Sequence, residues 1–283
     1  MNLEINQNIH IIIAVASFVI GGTIGSFLNV CVHRLPKGLS VVTPRSRCPK
    51  CEKEIAWYDN IPLLSWLILG AKCRNCDQPI SWQYPLVEAI TGLLFLLVYL
   101  RFGLTIAAPI YMILSASLVL VTFIDLTDWT IPNEVTFPGM PLGIGCALLA
   151  MVIPTSGLRL DSPVMAIAGL ALGGGILYLL DKLSLLLLKK PGMGFGDVKL
   201  MGMLGAFFGP WGALLTIVIA SFIGAAVGLT MISVQRSRGK EKGEGNYLPF
   251  GPYLAVGGLI VMFFGQEIID LYLSYIQAPG ALT

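Results

Sequence analysis

A series of long apolar runs, separated by short polar stretches, is the feature that most limits what this chain can fold into. A helix needs about 20 apolar residues to cross the hydrocarbon core of a bilayer, and such runs recur between residues 9 and 272. Of the 283 residues, 55% are hydrophobic and only 12% are charged, whereas a soluble domain has roughly 25% charged residues. The sequence therefore predicts an all-α, polytopic membrane protein.

Polar and Gly/Pro-rich stretches divide the apolar runs into about eight predicted transmembrane helices. They cover approximately residues 9–30, 85–100, 106–124, 135–153, 164–188, 200–208, 212–234 and 253–272. The run at 200–208 is short for a full span and ends at a Gly-Pro pair. The residues before the first run contain no Lys or Arg and no small-residue cleavage site follows, so we expect this run to be a retained helix rather than a signal peptide.

The polar stretch between the first two spans is long enough to form a small folded domain. We therefore predict three parts: a first transmembrane helix in residues 1–30, a cytoplasmic metal-binding domain in 31–84, and a polytopic membrane domain in 85–283. A domain of about 50 residues has a small core and needs a covalent or metal cross-link to be stable.

Lys and Arg residues indicate the orientation, because they concentrate in cytoplasmic loops. Eight of the 18 lie in residues 33–83, and further ones lie at 189–190 and 236–242. With eight spans these segments share one side, and the opposite loops hold only Arg101 and Arg159. The polar domain is therefore predicted to be cytoplasmic. The net charge of +2 gives no indication of nucleic-acid binding, and we expect the lipid bilayer to be the main surroundings.

Four of the six cysteines have the spacing C-x2-C-x21-C-x2-C, namely Cys48, Cys51, Cys73 and Cys76. Each C-x-x-C pair can place two thiolates on one metal ion, and two such pairs complete a tetrahedral Zn²⁺ site. A reducing cytoplasm argues against two disulfides. Because four thiolates leave no open coordination position, a structural role is predicted. The other two cysteines lie in or beside apolar stretches and are predicted to be buried, unreactive thiols.

Two aspartates are predicted to form a catalytic pair. Asp125 directly follows the apolar run VLVTFI, and Asp197 lies in the glycine-rich turn GMGFGD at the start of a later run. They are 72 residues apart in sequence but are predicted to lie at one membrane depth. Two adjacent carboxyl groups share one proton, which supplies the general acid and the general base of an aspartic protease. For either residue alone, a helix cap or an ion pair with Lys199 is the alternative.

The turn that precedes Asp197 contributes further candidate site residues. Gly194 and Gly196 allow the backbone to come close to a substrate and to direct N–H groups toward it. Lys199 follows in the same active-site segment. We therefore predict substrate contacts from Gly194, Gly196 and Lys199.

The remaining carboxylates have less specific interpretations. Asp128 and Glu134 are predicted to be solvated in the polar stretch DLTDWTIPNE. Glu88 lies near the start of a span, where an acid is favourable, and a structural or substrate contact is an alternative. Asp181 is predicted to form a charge pair with neighbouring lysines at the membrane boundary.

Several motifs together resemble the bifunctional type IV prepilin peptidases, a family of GxGD aspartyl proteases. These motifs are GSFLNVCVHRLP, the twin C-x-x-C segment, YPLVEAITG, the D-x5-IPN stretch from Asp125 to Asn133, GMGFGDVKLMGMLGAFFG and LPFGPYLA. They occur in the family's order and extend from Gly25 to about Ala255. GxGD alone is a weak signal, but in combination with the other motifs it is specific.

The resemblance implies functions that spacing and periodicity do not. It implies that Asp125 and Asp197 cleave the basic leader from type IV prepilins and type II secretion pseudopilins, after a glycine, at the cytoplasmic face of the bacterial inner membrane. It also implies N-methylation of the new N-terminus with S-adenosylmethionine, a function of the N-terminal cytoplasmic region. Apolar spans bind a charged methyl donor only at a cost, so we expect it between residues 33–83 and the membrane face.

Two other classes of function fit part of the pattern. A transporter would use membrane carboxylates to bind a coupling ion near the midplane, but the two aspartates lie at one boundary and no inverted repeat is visible. A non-catalytic assembly platform would use the zinc domain to bind partners, but it leaves the glycine-rich turn unexplained.

Overall fold

The computed structural model describes residues 7–190, 192–237 and 248–277. In this part of the chain there are eight α-helices and no strand. They are α1 Gln7–Arg34, α2 Leu64–Ile68, α3 Gln83–Phe102, α4 Ala107–Asp128, α5 Asn133–Val152, α6 Pro163–Leu188, α7 Phe195–Ser237 and α8 Gly251–Gln277. All except α2 are long and apolar enough to cross a membrane, which confirms the predicted all-α polytopic fold. Most of the predicted basic loop, at residues 238–247, lies outside the described residues.

The predicted spans at 200–208 and 212–234 lie in one continuous segment, α7, which consists of two helices that meet at a kink. At 1.5 Å per residue a straight helix of this length would measure about 65 Å, roughly twice the hydrocarbon thickness of a bilayer. Gly209 interrupts it with φ 70° and ψ −174°, and Pro210 follows. Since proline has no N–H to donate and clashes with the preceding turn, it kinks the helix here. With α7 counted as one segment, the described part of the chain has seven membrane-length helices, and the two halves of α7 correspond to the spans predicted at 200–208 and 212–234.

The chain forms two compact units, and the boundary between them in the sequence falls near the end of α4. The first unit extends to Ile124 and the second begins at Asp125. In the first unit α1 packs along α3, and the cysteine segment and α2 connect these two helices. In the second unit α7 packs against α5, α6 and α8. The finer division into residues 1–30, 31–84 and 85–283 remains a prediction.

Polar contacts join α1 to α3 near both ends of the pair. The Asn29 Nδ2 donates to the carbonyl oxygen of Tyr84 at 3.1 Å. At the other end, the His10 Nδ1 and the Tyr99 hydroxyl lie 2.9 Å apart. Such side-chain hydrogen bonds between helices are typical of membrane proteins, where few other polar partners are available.

Close helix contact in the second unit positions the start of α7. A Cβ atom on Gly169 of α6 would lie only 2.2 Å from the carbonyl oxygen of Gly205 of α7, so the two backbones touch. Small residues permit this approach, and dispersion contacts then hold the helices together. Leu200 and Leu204 are fully buried on the same part of α7. The result is a rigid support for Asp197, one turn before Leu200.

Candidate active site and metal centre

The carboxyl group of Asp125 connects the end of α4 to the start of α8. Asp125 is only 6% exposed, and its Oδ2 accepts a hydrogen bond from the backbone N–H of Gly251 at 3.0 Å. A Cβ atom on Gly251 would lie 2.6 Å from this same oxygen. Only glycine therefore lets the backbone of α8 come close enough to donate. The LPFGP motif supplies this glycine, 126 residues after Asp125.

Asp197 lies in the first turn of α7, where its backbone N–H donates to the carbonyl oxygen of Gly194 at 3.1 Å. The residue is 7% exposed. Its Oδ1 is buried and accepts no hydrogen bond from any residue in the described part of the chain. Its carboxyl group interacts electrostatically with that of Asp125. The structure thus brings together the two aspartates that the sequence predicts to be paired.

Ile131 packs between the two glycines that approach the aspartates. A Cβ atom on Gly196 would lie 2.9 Å from the Ile131 Cβ, and one on Gly251 would lie 3.1 Å from the Ile131 Cδ1. Ile131 is 9% exposed. An apolar side chain here excludes water from beside the carboxyl groups, and a lower dielectric strengthens their interaction. This packing gives the D-x5-IPN stretch a physical role.

Lys199 contacts the start of α5. Its Nζ donates a hydrogen bond to the Asn133 Oδ1 and lies 5.6 Å from the ring centroids of both Phe137 and Phe195. Among the described contacts Lys199 forms no ion pair with Asp197, so the alternative that Asp197 is only the partner of Lys199 receives no support. Lys199 instead links the start of α7 to the start of α5. Its predicted contact with substrate, like those of Gly194 and Gly196, stays a prediction.

Asp181 and Ser184 of α6 hold the glycine-rich turn, and sequence reasoning missed this role. The Asp181 Oδ1 accepts from the backbone N–H of Gly192 at 3.2 Å and from that of Met193 at 3.4 Å. The Ser184 Oγ donates to the carbonyl oxygen of Lys190 at 3.1 Å. Among the described contacts Asp181 forms no ion pair with a lysine, so its predicted pairing with lysines receives no support; its Oδ1 instead accepts from the backbone of the turn. The sequence signal for this role is an acidic residue that lies in the last turns of an apolar run, just before a glycine-rich turn.

The exposed positions of Asp128 and Glu134 agree with their predicted solvation. Asp128 Oδ2 accepts from the Thr127 hydroxyl at 2.9 Å. Glu88, in contrast, is only 7% exposed and belongs to the second turn of α3. Its Oε2 accepts from the backbone N–H of Leu63 at 2.8 Å, which confirms a structural contact in the first unit.

The four cysteines of the first unit form one cluster. Their sulfur atoms all lie within 4.8 Å of one another, and the Sγ atoms of Cys48 and Cys76 are 3.8 Å apart. Zn–S bonds of about 2.3 Å in tetrahedral geometry require sulfur atoms about 3.8 Å apart. The donor set and its spacing therefore fit a Zn²⁺ ion. The other two cysteines, Cys31 and Cys146, are buried as predicted.

The two C-x-x-C loops have the same backbone structure, repeated 25 residues apart. In each, the N–H of the first cysteine donates to the carbonyl five residues later, at 3.0 Å for Cys48 and 2.9 Å for Cys73. Each first cysteine also accepts from the N–H four residues later. The residues that follow the second cysteines, Glu52 and Asp77, have positive φ angles of 58° and 54°. These turns direct both thiols of each pair to one point.

The thiols of the cluster lie close together, and their pKa values differ as a result. Backbone N–H groups of Cys51 and Lys50 lower the pKa of the Cys48 thiol to about 6. The N–H of Gln78 also lowers the pKa of Cys76, but desolvation and the neighbouring cysteines outweigh it and raise that pKa to about 12. Ionisation of one thiol in the cluster therefore disfavours ionisation of a second thiol beside it. A divalent cation would remove this conflict, since metal-bound cysteines are deprotonated.

The fold and these geometries define a multi-pass membrane protein with a paired-aspartate site and a four-cysteine metal centre. Residues 19–102 match the bacterial peptidase A24 N-terminal domain, and residues 112–229 match the type IV leader peptidase family. The chain belongs to the type IV leader peptidase family. This confirms the resemblance seen in the motifs.

Similar proteins carry the name prepilin leader peptidase/N-methyltransferase. The one from Myxococcus xanthus (strain DK1622) is 44% identical over 220 residues, which cover 77% of this chain and 63% of that relative. Those from Stutzerimonas stutzeri and Pseudomonas aeruginosa are 35% and 36% identical over 283 residues, covering 92% of this chain and 93% of each relative. No solved structure matches the chain.

Proposed function

We propose that Asp125 and Asp197 are the catalytic pair with which this chain cleaves the leader peptide of prepilins, before it N-methylates the shortened product. The observation that carries the assignment is the buried Asp197 Oδ1, which has no hydrogen-bond partner among the described residues and interacts with a second buried carboxyl group. An unpaired buried polar atom costs about 1–3 kcal/mol. Such an atom calls for a specific explanation, and a proton shared with the neighbouring carboxyl group, or a bound catalytic water, supplies one.

The hydrogen bonds suggest how the pair divides acid and base roles. The Gly251 N–H donates to Asp125 and stabilises its ionised form, so we assign Asp125 as the general base that takes a proton from water. Asp197 then carries the shared proton and donates it to the carbonyl oxygen of the scissile bond as the water oxygen attacks the carbonyl carbon. Return of a proton to the leaving nitrogen completes the cleavage and restores the pair.

The membrane location supports a particular class of substrate. We propose type IV prepilins and type II secretion pseudopilins, whose apolar segment stays in the lipid while the basic leader stays in water. The bond after the leader's glycine then lies where these two environments meet. The Lys and Arg residues of 33–83 support a cytoplasmic location for that segment, and we place both reactions on the cytoplasmic side of the inner membrane.

We also propose the two ligands of the first unit. Zn²⁺ bound by Cys48, Cys51, Cys73 and Cys76 has a structural role, because four thiolates close its coordination shell. S-adenosylmethionine is the methyl donor, and the first unit, which contains the polar cysteine segment, binds it. A coupling-ion site is expected near the midplane, whereas the two aspartates are predicted to lie at one boundary, and an assembly platform does not account for paired carboxyl groups; proteolysis accounts for both.

The decisive experiment compares Asp125→Asn, Asp197→Asn and the matched control Asp128→Asn in purified, detergent-solubilised protein. Mass spectrometry follows cleavage of a leader-bearing prepilin peptide and methylation of a pre-cleaved one. We expect each catalytic variant to lose at least about 100-fold in cleavage while retaining methylation, which shows that it is folded. Asp128→Asn should cleave normally. Cleavage within about tenfold of wild type in either catalytic variant would contradict the assignment.

A further inference from the structure

A cavity of about 380 Å³, lined by both polar and apolar side chains, lies in the first unit. The end of α1, the start of α3 and the cysteine loops form its walls and leave one side open, and the residues that line it include Ser26, Arg34, Lys50, Trp66, Tyr84 and Glu88. Pockets for small molecules and cofactors usually measure about 300–1,000 Å³. The paired aspartates do not line it, and of the four predicted zinc ligands only Cys48 and Cys73 do.

We propose that this cavity is the methyl-transfer site, in which Glu88 faces the cationic groups of the methyl donor and of the substrate amine. The proposal rests on the proposed use of S-adenosylmethionine and adds the residues that bind it. The ligand class is a purine nucleoside bearing a sulfonium and an amino-acid carboxylate.

Glu88 supplies a fixed, buried acceptor in the cavity. Its side chain accepts from the Leu63 N–H at 2.8 Å and hydrogen-bonds with Ser26. Leu63 itself has a positive φ of 62°, so the carboxylate holds a backbone conformation that is unfavourable for leucine. Two donors orient Glu88 but leave acceptor capacity, since a carboxylate accepts about four hydrogen bonds.

A buried carboxylate needs a cation nearby, because an uncompensated charge is costly in a dry environment. The arginines that line the cavity have other partners. The Arg34 guanidinium donates to the carbonyl oxygens of Ser40 and Pro44 at 2.9 and 2.8 Å. Arg74, which also lines the cavity, is likewise paired already: it forms a bidentate pair with Asp59 at 2.8 and 2.6 Å. Within the described residues, no lysine or arginine forms an ion pair with Glu88. The sulfonium of the methyl donor and the terminal ammonium of the substrate are the positive charges that enter the cavity during methyl transfer.

The other lining residues fit the rest of such a donor. Trp66 and Tyr84 offer aromatic surfaces, and aromatic rings bind purines by stacking and cations by cation–π attraction. Lys50 and Lys53 line the cavity and are exposed, so they can attract the donor's carboxylate from solvent.

The reaction requires one proton to leave the amine. A bound sulfonium supplies an electrophilic methyl group: the amine nitrogen forms a bond to its carbon, and the carbon–sulfur bonding pair remains on sulfur. The amine must be uncharged when it attacks. Glu88 holds the terminal ammonium and accepts its proton, which then passes to solvent through the open side of the cavity.

The cysteine cluster contributes to the same cavity, since Cys48 and Cys73 line it together with the loops that they anchor. Loss of the metal is therefore expected to change the shape of the cavity. This gives a structural reason for methylation to depend on the cysteines more strongly than cleavage does.

The test uses Glu88→Gln in the full chain, with Glu134→Gln as the matched control on an exposed acid. Three quantities are measured: binding of radiolabelled S-adenosylmethionine by equilibrium dialysis, methylation of a pre-cleaved pilin peptide, and cleavage of a leader-bearing peptide. We expect Glu88→Gln to weaken donor binding at least tenfold and methylation at least 100-fold, with cleavage within about twofold of wild type. The control should leave all three unchanged.

A second variant addresses the cavity without touching the carboxylate. Ile55 lines the cavity and is 37% exposed, so Ile55→Trp adds volume at a tolerant position. It should weaken donor binding while cleavage continues. Normal donor binding and methylation in both variants would overturn the proposal, as would a variant that loses cleavage but binds the donor normally. A wild-type protein that binds no S-adenosylmethionine would instead overturn the proposed donor itself.

Discussion

The metal centre and the paired aspartates are built in opposite ways. The cysteine ligands come from two short loops with the same backbone hydrogen bonds, so each half of the metal centre is determined locally. The aspartate site joins the end of α4, the start of α7 and the start of α8, and its contact from Gly251 to Asp125 spans 126 residues. A local site tolerates changes elsewhere in the fold, whereas the aspartate site depends on how whole helices pack.

Gly251→Ala should have the largest effect, because it acts on the long-range contact. The new methyl group would lie about 2.6 Å from the Asp125 Oδ2, so α8 or the carboxyl group must move. Displacements of about 1 Å at a catalytic group cost roughly 100-fold, and we expect at least that loss in kcat for leader cleavage. Gly145→Ala is the matched control, because a Cβ atom there meets nothing within 4 Å. Cleavage by Gly251→Ala at more than a tenth of the wild-type rate would show that this contact is not essential.

Replacing any one of the four cysteines by Ser tests the local site. We expect the bound zinc to fall from about one per chain to well below that, since three thiolates and a hydroxyl bind the ion much less tightly. Methylation should fall more than cleavage. Elemental analysis of detergent-purified protein gives the metal content, and Cys146→Ser is the control. Folded cysteine variants that methylate normally but fail to cleave would contradict the prediction that methylation depends on the metal centre more than cleavage does.

Acid should remove the metal from the wild-type protein. Protons compete with zinc for the thiolates, so binding is strong where the cysteines are deprotonated and is lost as the pH falls. We therefore expect dialysis at pH 5 to release more zinc than dialysis at pH 8. Equal metal content after both treatments would argue against thiolate ligands.

Asp181→Ala should have an intermediate effect, because Asp181 acts through the turn rather than on the substrate. Losing two hydrogen bonds to Gly192 and Met193, each worth about 1 kcal/mol, is expected to reduce kcat for cleavage about tenfold or more. Asp181→Asn keeps an acceptor oxygen and should restore most of the rate. If Asn is as slow as Ala, charge rather than hydrogen bonding explains the role of Asp181.

The sequence predicted the parts of the molecule that depend on local pattern. The length of the apolar runs predicted the helices, Gly209 and Pro210 predicted the break in α7, and the cysteine spacing predicted which thiols meet. The pairing of the aspartates followed from the turn and the membrane depth at which each was expected. Each of these inferences needs only neighbouring residues or a count of spans.

The contacts that sequence reasoning missed depend on packing between distant segments. Nothing near Gly251 in the sequence indicates that its N–H donates to Asp125. Similarly, Asp181 is as consistent with an ion pair as with binding the backbone of the turn, and only the folded positions of Gly192 and Met193 distinguish them. Glu88 also required the structure, because Leu63 reaches it from 25 residues away.

The smallest predicted effect concerns the strain in the cysteine loops. Glu52 and Asp77 have positive φ angles, a conformation that costs a residue with a Cβ roughly 1–2 kcal/mol, whereas glycine adopts it freely but loses more entropy on folding. Glu52→Gly or Asp77→Gly should therefore give a net gain of about 0.5–1 kcal/mol, seen as a roughly two- to fivefold lower Kd for zinc. Competition with a chromophoric chelator measures this, and Glu54→Gly, at a position without a positive φ, should not tighten binding. Asp adopts this conformation more readily than Glu, so Glu52→Gly should have the larger effect of the two, and the two effects should add in the double variant. Weaker zinc binding in Glu52→Gly would mean that the carboxylate, not the backbone, stabilises the loop.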